Sequence, residues 1–170
     1  MTKTSDDLFA YLDGLGIAYT NHEHRAVFTV AENQALRDDI AGGHTKNLFL
    51  KDKKGRYFLL TVGEDAVIDL KKVHAVIGAS GRVSFGKPDA LMQYLGVEPG
   101  SVTAFGVIND VDHAVTLVFD QALMDHNVIN AHPLRNTATT SVSSEDMKKF
   151  VHSLDRQAII LPLSQAEATA

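Results

Sequence analysis

The chain has no cysteine and no tryptophan, and only four prolines among its 170 residues. Without cysteine there is no disulfide framework, no thiolate metal site and no cysteine nucleophile. No apolar run approaches the roughly 18 residues that a membrane-spanning helix requires. The N-terminus, Met1 to Asp7, turns acidic before any apolar stretch, so it does not read as a secretory leader; a soluble, cytoplasmic protein is expected. Also missing are the G-x-S-x-G elbow, the G-x-x-x-x-G-K-[ST] phosphate loop, the H-E-x-x-H pair and the G-x-G-x-x-G turn. Aromatic residues make up 7% of the chain and form no evident platform for stacking single-stranded bases.

What is present is globular in character: 45% hydrophobic and 22% charged residues, in a length typical of one compact unit. A single domain over residues 1–170 is expected, with a loose tail from about 164 to 170. The net charge of −5 argues against a dedicated nucleic-acid packager, and against DNA or a membrane as partner. Its distribution says more than its sum. Between Lys46 and Lys87 stand nine bases and four acids, so a basic middle lies within an acidic chain. That arrangement either leads a polyanion to one face or marks an ordinary solvated hairpin and helix.

Periodicity and capping signals supply the elements. Thr4 or Ser5 caps a first helix carrying Leu8, Tyr11, Leu12 and Leu15, and Ile17–His22 alternates like a strand. Thr29-Val-Ala-Glu32 is a capping-box pattern for a helix running to about Ile40. Lys46–Lys51 and Arg56–Val62 are strand-like and joined by Asp52-Lys-Lys-Gly55, which predicts a hairpin. Asp69 opens a helix to Ile77, Arg82–Phe85 reads as a strand, and Pro88–Leu95 as a helix. Ser101–Ile108 and Ala114–Phe119 read as a second hairpin. Asn127–Ala131 and Thr137–Ser141 flank a loop, a helix starts at Ser143 or Ser144, and Ala158–Leu161 is a last strand. The fold class is therefore α+β: a mixed, mostly antiparallel, barrel-like sheet with surrounding helices.

Three segments carry candidate chemistry. In Gly42-Gly-His-Thr-Lys46-Asn47 a lysine and an amide stand where a glycine-rich loop enters a strand. Lys46 offers a point charge for a phosphate or a polarised carbonyl, or else guards an edge strand. Pro99-Gly-Ser-Val-Thr-Ala-Phe-Gly106 supplies glycines and hydroxyls whose backbone N–H groups suit an oxyanion, or a plain turn. Asn130-Ala-His-Pro-Leu-Arg-Asn-Thr-Ala138 gathers a histidine, two amides and an arginine into a proline-pinned loop. His22-x-His24 alternates on a strand but has no third ligand at a usual spacing, so no metal is assigned.

Taken in order, these segments resemble the YbaK/aminoacyl-tRNA synthetase-associated editing family, and within it the free-standing prolyl-tRNA editing proteins of the ProXp-ala (PrdX-like) branch. The likeness rests on Thr45-Lys-Asn-Leu-Phe-Leu with its lysine-rich hairpin, Leu70 through Val83, Leu95-Gly-Val-Glu-Pro-Gly-Ser-Val-Thr-Ala-Phe, Val107-Ile-Asn-Asp and His132-Pro-Leu-Arg-Asn-Thr-Ala-Thr. Ala104 departs from the proline that many relatives carry. The resemblance implies a trans-editing deacylase that hydrolyses the ester of alanyl-tRNA(Pro), without cofactor, metal or protein nucleophile, the terminal ribose 2′-hydroxyl helping to activate water. Alternatives are a cysteinyl-tRNA(Pro) deacylase and a non-catalytic module binding tRNA or a synthetase. It implies Lys46, Asn47 and His132 as catalytic residues and Gly100, Ser101 and Thr103 as pocket residues. The partners implied are the acceptor end of tRNA(Pro) and a prolyl-tRNA synthetase. Lys51, Lys53, Lys54, Arg56, Lys71, Lys72 and Arg82 are then candidates for acceptor-stem phosphates.

Overall fold

The computed structural model describes residues 2–26 and 39–164. Nearly all of the helix expected from Thr29 to about Ile40, and of the expected tail at 164–170, lies outside the described residues. The first helix, α1 (Ser5–Gly14), is opened by a capping box: Thr4 N–H donates to Asp7 Oδ2 at 2.9 Å while the Thr4 hydroxyl accepts from Asp7 N–H. Its inward stripe buries Leu8 and Leu12. Then follow β1 (Tyr19–Glu23), β2 (Gly43–Lys51), β3 (Tyr57–Gly63), α2 (Val73–Ile77), β4 (Ser84–Phe85) and α3 (Pro88–Leu95). α3 begins with proline in its first turn and ends on Gly96 in the left-handed region, where the backbone would strain any side chain.

Two 3₁₀ turns, Pro99–Ser101 and Ala104–Asn109, lead into β5 (Val115–Asp120) and the single-turn α4 (Gln121–Met124). β6 (Val128–Ala131), β7 (Ala138–Ser143), α5 (Ser144–Ser153) and β8 (Ile159–Leu161) complete the described chain. The strand expected at Ser101–Ile108 is thus corrected, and with it the second hairpin. Ala104 to Ile108 are all buried, and a short apolar run buried all round carries no period that separates strand from helix. Thr103 settles the matter locally by capping the second turn, its Oγ1 accepting from Phe105 N–H at 3.3 Å.

The strands form one mixed sheet in the order β1-β7-β6-β2-β3-β5-β8, with β4 also on β2. Four of its pairings are antiparallel, and β2–β6, β3–β5 and β5–β8 are parallel. The expectation of a mixed, mostly antiparallel sheet holds. The barrel-like closure does not: the path ends at β1 and β8, and among the described residues no pairing joins them. One face packs Phe49, Leu59, Leu117, Phe119 and Ile129 against α1, α3, the 3₁₀ turns and α5. The other face carries Leu50, Phe58, Leu60, Val62 and Val118, roofed by the segment from Ala66 to Val83. Among the described residues no helix is long and apolar enough to cross a membrane.

Two buried carboxylates brace this frame. Asp52, at the β2–β3 turn, accepts hydrogen bonds from the N–H groups of Lys54, Arg56 and Ser80 and from Arg56 Nε, all at 2.9–3.0 Å. Burial alone would raise its pKa, but these donors outweigh it and hold the carboxyl down at about 2. Asp110 pairs with Arg156 at 2.5 Å in a site where both side chains are under one-tenth exposed.

Removing Arg156 (R156A) leaves Asp110 buried and uncompensated, and should cost about 3–5 kcal/mol in denaturant unfolding. Asp52→Asn should lower the melting temperature by a few degrees at neutral pH. Because the native pKa lies below the ordinary 3.8, the Asp52 contribution is complete above that value and fades as pH falls toward about 2. The stability gap between wild type and Asp52→Asn should therefore be constant at neutral pH and close in acid. A gap that does not narrow would contradict the assignment.

Candidate functional site

β3 covers one edge of β2 from Thr45↔Gly63 to Lys51↔Tyr57. The other edge is shared. β6 takes only Gly43 and His44, opposite Ile129 and Asn130, and β4 takes only Leu50 and Lys51. Beyond His44 the strands β2 and β6 part, and a cavity of about 500 Å³ opens in the fork. Lys46 and Asn47 line it from β2, Asn130 to His132 from β6, and Pro99, Gly100 and Val102 from the 3₁₀ segment. Its size falls in the usual range for small-ligand pockets.

Lys46 alternates onto the face shared with Leu48 and Leu50. Its Nζ donates to the carbonyl of Ala66 at 2.7 Å. The tight turn after β3, in which Glu64 N–H bonds His44 O at 2.9 Å, brings Glu64 and Asp65 to the same lining. One ammonium and two carboxylates therefore meet at the cavity. Asn47 points to the opposite face. Its Nδ2 donates to Val102 O at 3.1 Å and its Oδ1 accepts from the Thr61 hydroxyl at 2.6 Å. Both ends of the amide are engaged on the frame, so Asn47 braces the wall that carries Gly100.

His132 sits half-buried at the end of β6. Its Nδ1 lies 3.0 Å from Ala138 O, and because a carbonyl only accepts, Nδ1 carries the proton and Nε2 is left as the acceptor. Burial pushes the pKa below the ordinary 6.5, against the opposing pull of the Ala138 carbonyl, and nearby His24 lowers it further. The imidazole is neutral at physiological pH. Arg135 clamps the loop that follows. Its guanidinium forks onto Glu23 of β1 with two 2.8 Å bonds, and its Nε donates to Ser5 Oγ at 3.0 Å. Ser5 in turn bonds Pro133 O, which ties the loop to the first turn of α1.

Of the six residues expected at a pocket, the structure brings Lys46, Asn47, Gly100 and His132 to one cavity. Ser101 and Thr103 stand behind its wall, both buried, with Thr103 spent on its 3₁₀ cap. Asn130 was legible only as part of its motif, yet it is 2% exposed and holds the fork. Its Nδ2 donates to Ala41 O at 3.1 Å and its Oδ1 accepts from Ser141 Oγ, while its own carbonyl accepts from Thr45 Oγ1 at 2.7 Å. Glu64 and Asp65 gave no sequence signal, because only the fold brings them to the cavity, and Arg135 was legible only as part of its motif.

The expected phosphate-contacting residues are all exposed, on the roof segment and at the far end of the β2–β3 hairpin. Lys51 Nζ lies 5.7 Å from the Tyr57 ring, and Arg56 also reaches Gly78 O at 3.1 Å. His22 and His24 face different partners: His24 Nε2 lies 2.8 Å from Thr139 Oγ1 and His22 Nε2 3.4 Å from Ser141 Oγ. Among the described residues no group of three or more His, Asp or Glu could hold a metal ion.

A family model for the aminoacyl-tRNA editing domain matches residues 24–150. The prolyl-tRNA editing protein ProX of Acetoanaerobium sticklandii is 39% identical over 145 residues, covering 85% of this chain and 88% of that protein. The prolyl-tRNA synthetase associated domain-containing protein 1 of Danio rerio is 34% identical over 157 residues, covering 91% and 85%. A crystal structure of a candidate trans-editing enzyme for prolyl tRNA synthetase shares the fold, with a TM-score of 0.69 at 16% identity over 98% of this chain and 99% of the other. The chain belongs to the aminoacyl-tRNA editing domain family.

Proposed function

We propose that the chain is a trans-acting deacylase, one compact editing domain that hydrolyses the ester of alanyl-tRNA(Pro). The observation that carries this reading is the convergence of Lys46, Gly100 and His132 on one cavity in the fork of β2 and β6. An aminoacyl ester is already activated, so holding it beside a water and shielding the developing negative charge suffices without a covalent intermediate. Lys46 supplies the positive charge for the terminal phosphate or the reacting carbonyl, and backbone N–H groups near Gly100 face the oxyanion. The neutral imidazole of His132 offers Nε2 as an acceptor to the α-ammonium or to the water. Asn47 acts by holding the Gly100–Val102 wall in place. The carboxylates at the lining suit the positive amino group of an aminoacyl ester.

Selectivity in this reading comes from exclusion. One methylene is worth only about 1–3 kcal/mol of favourable binding, so a proline-activating enzyme admits alanine, and a second, smaller pocket must reject the proline ring. The acceptor end of tRNA(Pro) is the partner, drawn in by the basic roof and hairpin; a prolyl-tRNA synthetase is a second partner suggested by the relatives' names. The compartment proposed is the cytoplasm.

The test is a deacylation panel with alanyl-, cysteinyl- and prolyl-tRNA(Pro). Loss of the alanyl ester with the prolyl ester spared supports the proposal. Faster loss of the cysteinyl ester reassigns the substrate, and salt-sensitive tRNA binding with every ester intact makes the protein a binding module. Lys46→Ala should lower kcat roughly 10²–10³-fold with the fold retained, the scale of removing one charge-stabilising donor. Activity should hold as pH falls to 6.5 and drop only below it, because His132 protonates below the ordinary histidine value; His132→Asn should abolish that acid limb.

A further inference from the structure

We infer that Phe85, flanked in sequence by Arg82 and Lys87, is the platform on which an unpaired base of the RNA 3′ end stacks while the ester lies in the cavity. This rests on the proposed function and adds a base-contacting residue to it. Phe85 is 60% exposed, on a two-residue strand at the border of the sheet. Its placement is rigid: Gly86 N–H bonds Phe49 O at 2.9 Å, and a Cβ on Gly86 would come within 2.4 Å of the Phe49 ring. An aromatic face held in solvent by such close packing is a prepared surface.

Phe85 shares the open edge of β2 with the cavity. β6 takes one end of that edge at Gly43–His44 and β4 takes the other at Leu50–Lys51, so the run of β2 from Lys46 to Leu50 separates the cavity from Phe85. Cross-strand partners point to the same side of a sheet. Phe85 lies opposite Leu50, and Leu50 shares a face with Lys46, so the ring projects on the Lys46 side. Lys46 and Leu50 are four residues apart, about 13 Å of extended strand, which is close to four stacked-base rises. A strand whose terminal ribose ester sits by Lys46 therefore reaches Phe85 within its last few nucleotides.

The surroundings have the matching charge. Arg82 and Lys87 flank β4 in sequence, and the Lys53 side chain lies along Gly81. An aromatic face among cations is the arrangement that binds single-stranded nucleic acid: stacking on the base, and ammonium or guanidinium groups on the phosphates. A paired base offers no free face, so the occupant is the unpaired end.

The probe is an uncharged RNA minihelix with an unpaired 3′ tail carrying 2-aminopurine at one tail position at a time. Binding to wild type should quench one position, and Phe85→Tyr should preserve the quench. Phe85→Ala should abolish it and raise Kd about 5- to 150-fold, the range for one lost base–aromatic stack. In deacylation, Phe85→Ala should raise KM and leave kcat unchanged, with no effect on an aminoacyl ester of adenosine alone. Equal quenching and Kd in wild type and Phe85→Ala would overturn the platform, even if the ester is hydrolysed normally. Position-specific quenching lost in Phe85→Ala supports it even if wild type hydrolyses no ester, an outcome that would sink the proposed function alone.

Discussion

A strand inside a sheet normally satisfies its backbone on both edges, since an unpaired buried N–H or C=O costs about as much as a lost hydrogen bond. β2 is laddered to β3 from Thr45 to Lys51 on one edge and, among the described residues, has only two short partners on the other. Polar side chains take over in the gap. Thr45 Oγ1 reaches the carbonyl of Asn130, and Asn47 Nδ2 reaches that of Val102. These two bonds set how far the β6 end and the 3₁₀ segment stand from β2, and hence the width of the cavity. A continuous β2–β6 ladder would leave no space between Lys46 and His132.

The rest of the molecule divides around this edge. At one end, the Arg135 clamp and the Asn130 network fix the loop and strand that present His132. At the other end, Asp52 folds the hairpin turn and ties it to the roof segment, so the bases of that turn and the roof stand on one rigid surface. An acidic chain with a basic band of this kind repels a polyanion over most of its surface and favours one approach. The cavity lines the first half of one nine-residue strand, and the bases of the hairpin turn stand at its other end.

Much of the fold was readable from local signals. Thr4 or Ser5, Pro88, and Ser143 or Ser144 marked three helix starts, because caps are decided by the few residues that form them. The charged turn at Asp52 marked the β2–β3 hairpin. The failures have two causes. Residues 104–108 are buried throughout, and a segment without a solvent face loses the period that identifies it, so Ser101–Ile108 reads as a strand. β5 is a strand as expected, but its partners are distant in sequence: it lies parallel to β3 and β8 instead of forming the arm of a hairpin. Open ends instead of a barrel follow from the same long-range pairings.

The candidate site was partly legible because glycine, lysine, histidine and amide residues cluster in short motifs around Lys46, Gly100 and His132. Sequence by itself determined the helix ends, the hairpin turn, the basic band and the identities of those groups, since each depends on neighbours within a few positions. The tertiary structure alone decided that β2 and β6 part after two rungs, that Ser101 and Thr103 turn inward, and that Arg135 grips Glu23 across 112 residues. Those outcomes depend on contacts between distant segments, whose energies are set by packing the whole chain and leave no local pattern to read.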